Sequence, residues 1–132
     1  MPDSKRYTFT KQERITSRKL LEQLFMGGHR SMSAFPLRVV FMTRERAEGE
    51  PPVQVLVSVS KRHFKRAVKR NRVKRQIREA YRLNKYILWD ALQDRPDTAV
   101  AVAFLWLADE LHDSQSVTAS VTSLLRRIAE KI

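Results

Sequence analysis

Residues 61–85 place twelve Lys or Arg against one acid, Glu79, and any fold the chain adopts must accommodate that stretch. Of the +12 formal charge, +11 sits here, and the other residues balance fourteen cations against thirteen acids. Charge of one sign concentrated in one segment points to a polyanion that meets the chain there, and nucleic acid is the obvious one.

From about residue 64 to residue 88 no Pro or Gly interrupts a run of good helix formers, which predicts a helix. On a helical wheel Val73, Ile77, Ala80, Tyr81, Asn84 and Leu88 share one mostly apolar arc, suited to a seat on a sheet. Asn71, Arg75, Arg78 and Arg82 form a stripe on one flank of that arc, and Lys65, Lys69 and Arg72 a second on the other. Arg66 and Arg70 prolong the line of the arc, so the N-terminal end of the helix is predicted to overhang the sheet. Like charges spaced i,i+4, such as Lys65/Lys69 and Arg78/Arg82, repel by a few tenths of a kcal/mol per pair. A face shaped only for solubility mixes signs. Arg rather than Lys at positions 66, 70, 72, 75 and 78 suits bidentate phosphate contacts and stacking on unpaired bases, which favours structured RNA.

The flanking sequence supplies a core. Residues 1–14 read as an extended polar arm with Tyr7 and Phe9 as its apolar points. Thr16 or Ser17 can cap a short helix bearing Leu20, Leu21, Leu24 and Phe25, which Gly27-Gly28 ends. A strand is predicted over residues 37–43 and a turn or hairpin loop over 45–52. Val53, Val55, Val57 and Val59 then alternate with Gln54, Leu56, Ser58 and Ser60, the pattern of a half-buried strand. After a turn at residues 94–97, a further strand over 99–107 points Val100, Val102, Phe104 and Trp106 one way and small alanines the other. Val117, Val121, Leu124, Leu125 and Ile128 mark a closing amphipathic helix after a polar loop at 108–114.

At 132 residues the chain fits one domain, 1–132, burying roughly two-thirds of its unfolded surface. Absence of cysteine excludes zinc fingers and disulfide frameworks. The first residues lack an apolar signal core and no run has the length of a membrane span, so a cytoplasmic protein with no membrane partner is expected.

The run Val57-Ser58-Val59-Ser60-Lys61-Arg62 leads to Arg66-Ala67-Val68-Lys69-Arg70-Asn71-Arg72-Val73-Lys74-Arg75 and then Ile77-Arg78-Glu79. This string resembles the protein component of bacterial ribonuclease P, whose signature is the Arg70-Asn71-Arg72 triplet in a basic helix. Glu13-Arg14-Ile15 before a helix ending Leu24-Phe25, and a late Val-Ala-Val-Ala strand, extend the resemblance over most of the chain. It implies an α+β fold, a small mixed sheet packed with helices like a domain of a small-subunit ribosomal protein. It also implies a left-handed crossover through the triplet helix, against the general right-handed preference.

The implied role is to assist a catalytic RNA that removes the 5′ leader of precursor tRNA, as a monomer in the holoenzyme. By the resemblance, Ser60, Lys61, Arg62, Arg66, Lys69, Arg70, Asn71, Arg72, Lys74, Arg75 and Arg78 meet the RNA subunit. A cleft between the first helix and the sheet holds the leader. Phe25 matches a cleft aromatic, and Leu21 stands for a second aromatic of the family. Phe104 replaces a basic residue, so that a ring stacks where a cation met phosphate.

Chemistry by the polypeptide itself is not expected. His29, His63 and His112 lie far apart and read as ordinary exposed histidines. The acids are scattered among turns and helix approaches, with no two-metal cluster, and three glycines leave no phosphate loop. No catalytic residue, protein-bound metal or protein cofactor is therefore predicted, and Mg²⁺ is expected with the RNA. Trp106 reads as core and Trp89 as packing beneath the basic helix. The rival reading is a ribosomal or ribosome-assembly RNA-binding protein. A helical DNA-binding protein is disfavoured, because no helix-turn-helix partner or zipper accompanies the segment.

Overall fold

The computed structural model describes residues 6–27 and 29–132. Four strands form one mixed sheet: β1 (Arg30–Ala34), β2 (Leu37–Glu45), β3 (Val53–Ser58) and β4 (Thr98–Trp106). Their order across the sheet is β1-β2-β4-β3. β4 pairs antiparallel with β2 and parallel with β3, and nearly every β4 residue is buried. A central strand covered on both faces needs small or apolar side chains on each, which is what the Val/Ala alternation provides.

Parallel neighbours need a long crossover. Residues 59–97 supply it, and they contain the basic helix α2 (Ala67–Asn84) followed by the short α3 (Tyr86–Trp89). The closing helix α4 (Ser114–Lys131) packs beside α2 on the same face. Asp113 starts α4 by accepting a 2.7 Å hydrogen bond from the Ser116 N–H. The main core lies between these helices and the sheet, with Val55, Val57, Val102, Phe104, Val73, Ile77, Tyr81, Val121 and Leu125 inside.

α1 (Arg18–Met26) occupies the opposite face. Ser17 caps it, its Oγ accepting from the Leu20 N–H at 3.2 Å. Leu20 and Leu24 sink onto Ala101, Ala103 and Val40, and the alanines leave room for the helix to come close. Gly27 ends α1, while Gly28 lies outside the described residues.

The elements depart from the sequence expectations in four places. Residues 45–52 hold the expected turn, the Glu50 N–H donating to the Ala47 carbonyl at 3.1 Å, but close no hairpin, because β4 inserts between β2 and β3. β1 is an additional strand; its serines and single buried residue, Met32, give almost no apolar periodicity. The basic helix begins at Ala67 and breaks at Lys85, so Lys65 lies in the preceding loop and Arg66 is the N-cap residue. The expected extended arm over 1–14 lies partly outside the described residues, and Lys11–Glu13 forms a 3-10 turn. Arg14 then bridges in parallel to Val55 and covers part of the β3 edge.

Candidate nucleic-acid interface

α2 buries Val73, Ile77, Ala80 and Tyr81, and cations make up most of what it leaves outside that arc. Lys69, Asn71, Arg72 and Arg75 are exposed, whereas Arg70, Lys74 and Arg78 are half-buried. Ser60, Lys61, Arg62, Lys65 and Arg66 are exposed in the loop ahead of the helix. Val68, 79% exposed at the helix start, fits an end that overhangs the core.

Several of these side chains also shape the loop. Ser60 Oγ accepts from the Arg62 N–H at 3.1 Å, and the Ser60 carbonyl accepts from the His63 N–H at 3.1 Å, closing a tight turn. Arg70 Nη1 donates to the carbonyls of Phe64 and Lys65, each at 2.8 Å, and so ties loop to helix. Phe64 is buried beneath them. His63 Nδ1 lies 2.7 Å from Asp109 Oδ1, which clasps the loop to the segment after β4. His63 and His112 are thus half-buried, unlike the exposed histidines the sequence suggests; His29 is exposed.

The Asn71 stripe faces a concavity of about 430 Å³, lined by Phe9, Arg14, Asn71, Arg75, Arg78, Glu79 and Arg82. Phe9 and Arg14 come from the N-terminal segment, which is fastened to the end of the basic helix. The Tyr86 hydroxyl donates to the Arg6 carbonyl and accepts from the Arg6 N–H, both at 2.8 Å. Tyr7 meets Tyr86, and Phe9 meets Tyr81, edge to face at 5.5 and 5.7 Å. Arg82 donates to the Tyr7 carbonyl and pairs with Glu79. Burial, and next the charge of Arg14, push the Arg78 guanidinium below its ordinary pKa. Composition alone hides this group, because Arg14 lies more than fifty positions from the triplet.

The reverse face carries the second set of predicted residues. Leu21 is half-buried on α1, packed with Leu56 and Leu105, and Phe25 is 43% exposed at the end of that helix. Phe104 does not join them. It is fully buried in the main core with its ring 6.3 Å from that of Tyr81, on the face away from α1. The outward neighbour is Leu105, paired with Arg38 on one side and Ser58 on the other. Phe104 shares its face of β4 with Val100 and Val102, whereas Leu105 lies on the α1 side, a placement the strand alternation already carries.

The sequence model of the Ribonuclease P family matches residues 9–129. The chain belongs to the ribonuclease P protein family. Curated relatives named "Ribonuclease P protein component" include one from Porphyromonas gingivalis strain ATCC 33277, 42% identical over 96% of this chain and 90% of its own length. Another, from Chlorobaculum tepidum, is 36% identical over 82% of this chain and 74% of its own. Among solved structures, the Staphylococcus aureus RNase P protein superposes with a TM-score of 0.62 at 19% identity, covering 89% of this chain and 95% of that one. The α+β fold is therefore the fold of a ribonuclease P protein, and the triplet helix is its β3–β4 crossover.

Within this family fold both tryptophans pack in or against the main core. Trp106 is buried, and Trp89 donates from Nε1 to the Tyr81 hydroxyl at 3.0 Å while Lys85 Nζ sits 4.3 Å above its ring. Among the described residues, no helix is long and apolar enough to cross a membrane.

Proposed function

We propose that this chain is the protein subunit of a bacterial ribonuclease P, one copy per holoenzyme in the cytoplasm. The α2 face and the loop over residues 60–66 bind the RNA subunit, and the α1 flank at Leu21 and Phe25 contacts the 5′ leader of precursor tRNA. The observation that carries this reading is a helix whose solvent side is dominated by Lys and Arg, with Glu79 its one acid, in a chain of this family. If six to ten cations meet phosphates, affinity should fall ~10³–10⁵-fold between 50 and 200 mM salt.

Cleavage is assigned to the RNA and its Mg²⁺. A concavity lined by four guanidinium groups repels a divalent cation, so these residues suit RNA phosphates and do not fit a metal. The test is reconstitution of this protein with the Porphyromonas gingivalis ribonuclease P RNA at low Mg²⁺. Restored 5′ cleavage of precursor tRNA is expected. Co-purification of ribosomal RNA without any ribonuclease P RNA would support the ribosomal reading and overturn this one.

A further inference from the structure

Arg14 and Arg78 bring two guanidinium groups to one concavity from elements far apart in sequence. Among the described residues, neither has an acidic partner. The one carboxylate in the wall, Glu79, is committed to Arg82. The geometry also holds Arg14 in place: its backbone bridges to Val55, and its Cζ stands 5.3 Å from the centroid of the Phe9 ring. Two fixed like charges without a counter-charge destabilise the free protein, so the arrangement gains most when an anion enters between them.

We propose that Arg14 and Arg78 together clamp a single phosphodiester of the bound RNA, with Phe9 backing Arg14 and Arg75 at the rim. The proposal rests on the RNA-subunit reading of α2 and adds the N-terminal segment to that interface. Lys85, which binds the Thr8 carbonyl at 2.7 Å and Glu13 at 2.9 Å, acts as a positioning residue for the clamp.

The experiment measures affinity of the full chain for the Porphyromonas gingivalis ribonuclease P RNA across a KCl series. The variants are Arg14→Ala, Arg78→Ala, their double, Arg14→Lys, Arg72→Ala and, as an exposed cation on α4, Arg126→Ala. Each clamp variant should lose on the order of ten-fold in affinity, and the double should lose little more than either single. The salt slope should fall by about one. Arg14→Lys should recover part of the loss, and Arg126→Ala should behave as wild type. Thermal melts confirm that each variant folds.

Additive losses, or losses no larger than that of Arg126→Ala, would overturn the clamp. If Arg72→Ala is also silent, the α2 reading fails with it; if Arg72→Ala loses affinity, that reading stands and the clamp alone falls. A second arm titrates the free protein with inorganic phosphate while following arginine Nε–Hε resonances. Joint movement of Arg14 and Arg78, reversed by RNA, supports the clamp. Phosphate binding that RNA fails to displace would identify a site for free anion only and overturn it.

Discussion

The Lys85 ammonium lies 2.9 Å from the Glu13 carboxylate, and the two side chains are only 2% and 3% exposed. Lys85 also donates to the Thr8 carbonyl and covers the Trp89 ring, so one side chain joins the N-terminal segment to the junction of α2 and α3. Deleting one member of a buried pair strands the other without water. Lys85→Met and Glu13→Gln should each cost about 3–5 kcal/mol in urea denaturation. The double variant should cost clearly less than the two losses added. Simple additivity would contradict a direct pair.

Tyr81 is buried beneath the basic helix, where desolvation raises its phenol pKa well above the usual value, against a smaller opposing effect of the Trp89 hydrogen bond. The folded phenol therefore keeps its proton at pH values where the unfolded one, near 10, releases it. The unfolded state then binds fewer protons, so this contribution to stability is present below about pH 10 and declines as pH rises further. Melting temperatures from pH 8 to 12 should fall more steeply for the wild type than for Tyr81→Phe. At neutral pH the same variant should lose about 1–3 kcal/mol, because the Trp89 Nε1–H is left unpartnered. Parallel pH profiles would refute the assignment.

Arg70 and Arg72 belong to one triplet but should respond differently. Arg72 is exposed, so Arg72→Ala should weaken RNA binding, reduce the salt slope by about one and leave the melting temperature unchanged. Arg70 also holds the Phe64 and Lys65 carbonyls. Arg70→Ala should weaken binding and in addition lower stability by about 1–3 kcal/mol as two carbonyls lose a charged donor. Salt-dependent binding together with thermal melts separates the two effects. Unchanged salt slopes in both variants would remove the triplet from the interface.

Local periodicity made much of this molecule legible. Val53, Val55 and Val57 alternate because one face of β3 meets the core, and Val73, Ile77, Ala80 and Tyr81 recur at helical spacing because α2 rests on that core. Pairing between distant segments leaves no such trace. Nothing between residues 37 and 58 announces that β4 will separate β2 from β3. Lys85 reads as the last cation of a charge run, yet its ammonium is buried against an acid 72 positions away. Arg14 joins the Asn71 stripe through its bridge to Val55 and the docking of Phe9 and Tyr7 on Tyr81 and Tyr86, contacts between distant segments.

The two faces of β4 give the sharpest test of leader contact. Phe25 is exposed near the C-terminal end of α1, and an aromatic ring stacking on an unpaired base contributes about 1–3 kcal/mol. Phe25→Ala should therefore weaken precursor tRNA binding by the holoenzyme about five-fold or more, while mature tRNA, which lacks the leader, binds as before. Phe104 is sealed in the opposite core, so Phe104→Leu should cost up to about 1.5 kcal/mol of stability and leave the precursor-to-mature ratio untouched. Leu105→Ala, on the outward side of the same strand, should shift that ratio in the direction of Phe25→Ala. Paired binding measurements on precursor and mature tRNA check all three. A ratio altered by Phe104→Leu but not by Phe25→Ala would place the leader elsewhere than on the α1 flank.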